Sequence, residues 1–580
     1  MKPTFILLAG LAFLSAFVAF SFNKIHNLPK SNSIVAAVKK KNIIRCSPDW
    51  ELMKDWIDEV DIPLIAGAGS YQRKISTTND SAQLYFNQGI NMYYSFHIIE
   101  AMASFKKAAR FDPGCAMLPW AQALTYGPNI NDFGYGASPD ALAASSKAVE
   151  LSVNSSQKEK MLIEAQSVRY SADSTQTRLK LNQLYVFKMK NLYDKYPDDA
   201  DVAALYADAL MLQHPWDLWR NDGIPQPWTP RIREVLEKLL AKTPNHPGAN
   251  HYYIHVMEPS PYASKALPSA DRLGILTPGL AHTVHMPSHI YLRAGLFEKG
   301  ISVNEHAVNS YNRILPLYAP ASGADFLYLI HALHMQTNNA MLEGRSVYSV
   351  KSASELINSI PKDYLAFPGA MGNYVQYIYM TPLLVDIRFG RWNELLIRPK
   401  PQEEMGYANV LYHFGRGMAL ARQSNLADAR LERDQMLRRM KDSSLSIPFT
   451  PFSASIEGAK VAEKLLSGTI ALQEKNYTAA ITYFEEAAKI EEAMVYNEPR
   501  DWILNPRNYL GNVLLKAGKW KEAEKNFLRD LNNNNENGWA LLGLYQSLSG
   551  QHKKVEAAKV LARFNKAFSK ADVKITGPVF

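Results

Sequence analysis

The chain has 580 residues, too many for one compact hydrophobic core, which predicts several domains or an extended array. Its apolar content of 47% and charged content of 21% are ordinary for a globular protein. Residues 1–45 carry seven basic side chains and no acidic one, so the rest of the chain holds only +2 of the net charge of +9. We expect no nucleic-acid partner, because nucleic-acid binding requires a basic surface.

The N-terminus contains an uncharged apolar run at residues 5–22, directly after Met1 and Lys2. A basic residue, an apolar stretch and small residues at Ala19 and Ser21 are typical of a secretory signal peptide. A run of this length can also span a bilayer, so an uncleaved anchor is the alternative. Residues 1–22 are predicted to be a signal peptide or N-terminal membrane anchor. The protein is then exported, periplasmic or envelope-associated, and meets a membrane only through this segment.

Cysteine is rare in this chain, with only Cys46 and Cys115. In an oxidising compartment these two could form one disulfide, and two separate thiols are the alternative. Two cysteines are too few for a cysteine-rich metal site. No cysteine follows the apolar run directly, which excludes lipid modification there.

Residues 23–80 are predicted to be an irregular lead-in, after which a repeat of about 34 residues begins. In residues 82–115, small, aromatic and proline residues occupy positions 8, 20, 24, 27 and 32 of the tetratricopeptide repeat (TPR); they are Gly89, Ala101, Phe105, Ala108 and Pro113. The spacing recurs towards the C-terminus in Gly468, Ala480, Phe484 and Ala487, and again in Leu510, Gly511, Ala523 and Phe527. Small residues allow the two helices of a repeat to approach closely, and the aromatic residue fills the gap between them.

These repeats predict an all-α fold, a TPR-type α-solenoid of stacked antiparallel helix pairs. We divide it into an N-terminal TPR-like helical region with a histidine-rich segment (81–315), central degenerate helical repeats (316–450) and C-terminal TPR repeats (451–580). Such a solenoid ordinarily has a concave face that binds a peptide or protein, which is the partner we expect.

The histidine-rich segment holds six of the 14 histidines within residues 246–289; they are His246, His251, His255, His282, His285 and His289. On a helix, His251, His255 and Glu258 would share one face, because residues three or four apart lie one turn apart. His282, His285 and His289 would share a face too. Pro287 prefers the first turn of a helix, so His282 and His285 could instead lie in the preceding loop.

Two interpretations of this segment remain open. In one, the histidines are neutral and hydrogen-bonded in the core. In the other, His251, His255, Glu258, His282, His285 and His289 bind a transition metal, because burying so many polar rings without a ligand is costly. Imidazole-rich sites without thiolates suit Zn, Cu or Fe, and the sequence cannot choose among them. If no metal binds, we expect no other cofactor.

Several sequence blocks resemble those of a group of exported or membrane-associated bacterial TPR proteins. They include HYYIHxxE within 246–258 and HMPSHIYxRxG at 285–295, with further blocks at 62–69, 86–96, 108–131 and 341–346. The resemblance covers roughly residues 60–420 and implies no established activity. It does imply that polar residues of these blocks share one pocket, which adds Asn129, Asn131 and Arg293 to the histidines. His331 and His334, one helical turn apart, are candidates to support the site from the next repeat.

The chain also departs from this group. Relatives tend to carry histidines after the 62–69 block, where this chain has Tyr71 and Arg73, and one at the position of Ile98. If those histidines complete a site in the relatives, the departures imply that this chain holds a thinned or inactive version of it.

Two functions are compatible with these observations. The first is a binding or scaffold protein that has a clustered His/Glu pocket. The second is a metal-dependent hydrolase or oxidase inside the solenoid, with Glu258 and Arg293 as candidate catalytic residues. The HExxH motif of metalloproteases is absent, and so are phosphate-binding glycine loops.

Overall fold

The computed structural model describes residues 50–132, 135–314 and 324–580, and across these ranges the protein is helical, with no β-strand. The N-terminal helices are α1 (Trp50–Glu59), α2 (Asp80–Tyr94), α3 (Ile98–Phe111), α4 (Met117–Thr125), α5 (Pro139–Leu151), α6 (Gln157–Ser167), α7 (Arg178–Lys195), α8 (Ala200–Met211) and α9 (Thr229–Lys242). The histidine-rich segment and its neighbour form α10 (Pro247–Met257), α11 (Leu267–Leu276), α12 (Ala281–His285), α13 (Pro287–Arg293) and α14 (Phe297–Ile314).

The central helices are α15 (Ala324–Leu342), α16 (Ser346–Asn358), α17 (Lys362–Leu365), α18 (Gly369–Tyr379), α19 (Thr381–Arg388) and α20 (Trp392–Ile397). The last eight are α21 (Gly406–Arg422), α22 (Leu426–Arg439), α23 (Ser455–Gln473), α24 (Tyr477–Ala493), α25 (Pro506–Lys516), α26 (Trp520–Asn533), α27 (Gly538–Gly550) and α28 (Lys554–Ala567). Consecutive helices pack against each other as pairs, most extensively α2 with α3, α21 with α22 and α23 with α24. The predicted TPR-type α-solenoid of helix pairs is confirmed.

The repeat glycines show why the pairs are this close. A Cβ built on Gly89 would lie 2.5 Å from the Phe105 ring, and one on Gly468 would lie 2.6 Å from the Phe484 ring. Gly511 faces Phe527 in the same way. In each repeat the aromatic residue of the second helix therefore fills the space that glycine leaves on the first.

The lead-in predicted as irregular contains one helix, α1, so that prediction is corrected for residues 50–59. Met53 and Ile57, one turn apart, are both buried, and α1 packs against α3. Burial of this apolar stripe stabilises the helix, a tertiary contribution that local sequence does not show.

The C-terminal repeats do not extend away from the histidine-rich region but lie against it. The guanidinium of Arg293 donates to the Asn533 carbonyl, and the Asn535 side chain donates to the Arg293 carbonyl at 2.7 Å. Asn221 likewise donates to the Ala493 carbonyl at 3.1 Å. Contacts between residues more than 200 positions apart thus bring the last repeats next to the histidines.

Three predictions concern residues outside the described ranges: the apolar segment 5–22, the pairing of Cys46, and the domain boundary at 315/316. Cys115 is buried. Among the described residues, no helix combines the length and apolarity needed to cross a bilayer.

We predict that Gly511→Ala destabilises the protein by about 1–3 kcal/mol, because the added methyl group would overlap the Phe527 ring inside a packed repeat. Thermal or urea unfolding measures the change. Gly114→Ala is the control, since a Cβ there meets nothing closer than 3.7 Å, and it should leave stability nearly unchanged. Equal stability of the two variants would contradict the packing described for the repeat.

Candidate metal centre

Four helices carry the histidines that meet in the interior. His251 and His255 lie one turn apart on α10, His282 and His285 on the short helix α12, and His289 on α13. Pro287 begins α13, as its preference for the first turn predicts, yet the preceding residues are helical and not a loop. His331 reaches the same place from α15, beyond the predicted segment.

His251, His255 and His282 form what we call the first histidine group, in which one nitrogen of each ring lies within 4.8 Å of the others. The Nε2 atoms of His251 and His255 are 3.1 Å apart, and the His282 ring centre is 5.0 Å from that of His251. His282 is buried, and among the described residues neither of its ring nitrogens has a hydrogen-bond partner. Buried polar atoms are rarely left unpaired, so this imidazole is suited to a ligand.

His285, His289 and His331 form the second histidine group, again with nitrogens within 4.8 Å of one another. The Nε2 atom of His289 lies 2.9 Å from Nε2 of His285 and 3.4 Å from Nε2 of His331. His331 was predicted only to support the site. The structure instead places its ring among the candidate ligands.

The Nδ1 atoms of the paired rings all point outward to acceptors. His251 Nδ1 donates to the Tyr94 carbonyl at 2.7 Å, because a carbonyl oxygen can only accept. His285 Nδ1 donates to Asn304 Oδ1 at 2.6 Å, and the Asn304 amide is oriented by its own bond to the Gly300 carbonyl. In a neutral imidazole with the proton on Nδ1, Nε2 carries the lone pair. The inward nitrogens of His251 and His285 are therefore available as ligands.

Glu258 connects the two groups. It follows the last residue of α10 and keeps helical backbone angles, so its carboxylate stays on the same side as His255. Its Oε1 accepts from His255 Nδ1 at 2.9 Å, while its Oε2 lies 2.7 Å from Nδ1 of His289. His289 Nδ1 also donates to Oε2 of Glu498 at 3.1 Å. Hydrogen bonds from the far nitrogen to a carboxylate or carbonyl typically orient metal-binding histidines.

Burial and nearby charges shift the pKa values of these rings in opposite directions. Burial lowers the pKa of His285 to about 3, and it lowers the pKa values of His251, His282 and His331 well below the usual range, so these rings are neutral. Burial also opposes the charge on His289, but Glu258 and Glu498 outweigh it and raise the pKa of His289 to about 10. Burial opposes ionisation of Glu258 too, and His289 and His255 nevertheless lower its pKa to about 2.

Aromatic side chains enclose the first histidine group. The Phe96 ring lies 4.5 Å from the ring of His251 and stacks 5.5 Å from that of His282, and Trp216 meets His255 edge-on at 5.4 Å. Both aromatic residues have left-handed backbone angles, with φ of 56° and 62°. This conformation is unfavourable for bulky residues, and such strain concentrates at functional sites.

The remaining predicted residues lie around the centre and not in either group. Asn131 donates to the Tyr328 hydroxyl at 3.4 Å, and the Tyr328 ring lies 4.3 Å from that of His282, while Asn129 accepts from the Asn131 backbone. His334 is buried, 5.8 Å from the ring of Tyr377. Arg293 Nε lies 3.9 Å from Glu498 Oε1.

His246 and Arg73 lie outside both histidine groups and stabilise the structure around them. His246 Nδ1 accepts from the Ala249 amide at the start of α10, and its Nε2 lies 3.4 Å from Asp201. Asp201 also accepts from Arg73 at 2.7 Å and from the Tyr94 hydroxyl at 2.6 Å. Arg73 thus holds Tyr94 through Asp201, and the Tyr94 carbonyl orients His251.

Sequence reasoning missed Glu498, which lies 209 positions from His289. One signal was present: Gly468 and Gly511 occupy equivalent repeat positions but are 43 residues apart instead of 34. The extra residues between α24 and α25 form the segment that carries Glu498.

Comparison with known proteins gives no functional assignment. No protein-family model and no curated protein matches the chain. Solved structures that match include the human IFIT1 dimer with m7Gppp-AAAA, with 12% identity over 85% of this chain and 91% of that one, at a TM-score of 0.31. The P58(IPK) TPR domain matches with 12% identity over 84% of this chain and 99% of that one, at a TM-score of 0.20. Similarities this weak carry no conclusion about function.

Proposed function

We propose that this protein is an exported TPR-type scaffold protein that holds a transition metal in its interior, coordinated by the imidazoles of the two histidine groups. One observation carries the proposal: Nε2 atoms face each other at 3.1 Å and 2.9 Å, while each Nδ1 is held by an oxygen. Two nitrogens that share a tetrahedral zinc ion at about 2.0–2.1 Å lie about 3.3–3.4 Å apart. The observed separations are close to that value.

The donor set indicates the class of metal. Neutral imidazoles without thiolates suit Zn, Cu or Fe, with Cu²⁺ bound most tightly of the divalent ions in the first transition row. We assign Glu258 and Glu498 to orienting His255 and His289, because their oxygens lie at hydrogen-bond distance from Nδ1. Their negative charge also favours a cation in this buried place.

The helix pairs belong to an architecture that typically binds peptides or proteins, and we propose such a partner on the concave face. The proposal that the protein is exported rests on the apolar N-terminal segment at residues 5–22. A metal centre inside a binding scaffold would stabilise the packing of the helix pairs and would also be available for catalysis.

A metal-dependent enzyme is the second candidate, and a cavity of about 490 Å³ favours it. The cavity is lined by Arg293 and by the half-buried Tyr496, whose hydroxyl contacts Glu498. Tyr496, Glu498 and His289 therefore connect the cavity with the second histidine group. Catalytic metal sites keep an open coordination position, whereas structural sites are closed.

Azide binding distinguishes an open centre from a closed one. We expect azide to change the visible absorption spectrum of the Co²⁺-substituted protein, because an open position accepts an external anion. If azide leaves the absorption spectrum unchanged, the proposal of an enzyme is contradicted. A closed metal site in a scaffold then remains.

We expect the protein purified from the exported compartment to contain Zn, Cu or Fe near stoichiometry, measured by elemental analysis. The double variant His255→Gln/His289→Gln should lose most of it, since it removes one of the facing Nε2 atoms from each pair. Exposed His306→Ala is the matched control and should keep the metal. Metal-free wild-type protein that takes up none on reconstitution would end the proposal.

Glu498→Gln should weaken metal binding by about 10–100-fold, the usual effect of removing an orienting partner of a ligating histidine. Competition with a chromophoric chelator measures the affinity. Glu485→Gln, at an exposed position on the preceding helix, should have no effect. Equal affinities of the two variants would show that Glu498 does not orient a ligand.

Metal binding should release protons at neutral pH. His289, with a pKa of about 10, is protonated when no metal is present, so coordination through Nε2 displaces that proton. At pH values below this pKa, the apparent dissociation constant should decrease about tenfold for each unit that the pH rises. Calorimetry in buffers of different ionisation enthalpy counts the protons that are released. An affinity independent of pH would show that His289 is not a ligand.

A further inference from the structure

We propose that the centre holds two metal ions, one in each histidine group. This inference rests on the proposed function. It extends that function from one metal site to a pair of sites, with His282 in the first site and His285 in the second.

Each group is complete by itself. His251, His255 and His282 provide three nitrogens within 4.8 Å of one another, and so do His285, His289 and His331. Three protein ligands with one further position are the usual set for a catalytic zinc ion, and imidazoles suit copper and iron equally. Neither group needs a residue of the other to reach three ligands.

One shared ion would not satisfy both groups. The Nδ1 atoms of His251, His255, His285 and His289 are already bonded to oxygens, so each of these rings offers only Nε2. These Nε2 atoms converge in two separate pairs, at 3.1 Å and 2.9 Å. Where the groups face each other, the ring centres of His282 and His285 are 6.3 Å apart.

A shared carboxylate makes two neighbouring cations favourable. Glu258 contacts Nδ1 of His255 in the first group and of His289 in the second, and Glu498 adds a second negative charge beside His289.

One ring in each histidine group can be removed with little loss of hydrogen bonding. His282 has no hydrogen-bond partner among the described residues, and His331 makes a long contact of 3.4 Å to His289. His282→Gln should therefore impair the first group, and His331→Gln the second, with the fold retained. Circular dichroism checks that both variants keep their helical content.

The test is the number of Cu²⁺ ions per chain that the full-length protein retains after removal of metal by a chelator, reconstitution and desalting. We expect two in the wild type and in His306→Ala, one in each single Gln variant, and none in the double variant. Electron paramagnetic resonance should show two interacting Cu²⁺ ions in the wild type and an isolated ion in each single variant.

The outcomes separate the two proposals. One ion in the wild type, lost equally from His282→Gln and His331→Gln, would overturn the two-ion inference and leave metal binding intact. No ion in the wild type would overturn the proposed function itself. Two ions without magnetic interaction, both kept in the single variants, would place the metal outside these groups and also contradict the inference.

Discussion

The Glu258 carboxylate is the interaction on which the centre depends. Glu258 directly follows α10, and its two oxygens contact imidazoles from different helices, His255 on α10 and His289 on α13. A buried carboxylate is costly unless it is paired, so the two rings and the acid must assemble together. Because Glu258 contacts both rings, the orientation of the two Nε2 atoms depends on how α10 and α13 pack together.

The oxygen acceptors around the rings come from distant parts of the chain. Tyr94 supplies a carbonyl from α2, Asn304 an amide from α14, and Glu498 a carboxylate from the segment before α25. The Arg73 ion pair with Asp201 holds Tyr94 in turn. Such partners orient metal-binding histidines, so α2, α14 and the segment before α25 contribute to the candidate centre together with the histidine-rich segment.

The histidine-rich segment was predictable where its geometry is local. The spacing of His251, His255 and Glu258 on one helix follows from the helical period, and the structure shows these side chains in contact. Pro287 predicted a helix start correctly, but the turn before it is helical because α12 packs against α14. His331 and Glu498 could not be assigned from spacing, because they approach through packing of repeats that are far apart in the chain.

By itself, the sequence determined the helix pairs and the concentration of imidazoles in one segment. Glycine at position 8 and an aromatic residue at position 24 specify contacts within one repeat, and such contacts are local. Only the tertiary structure decided how the repeats curve, because small rotations accumulate over many helix pairs and no short pattern encodes their sum. In the tertiary structure Glu498 reaches His289, and the rings of the two histidine groups lie apart from each other.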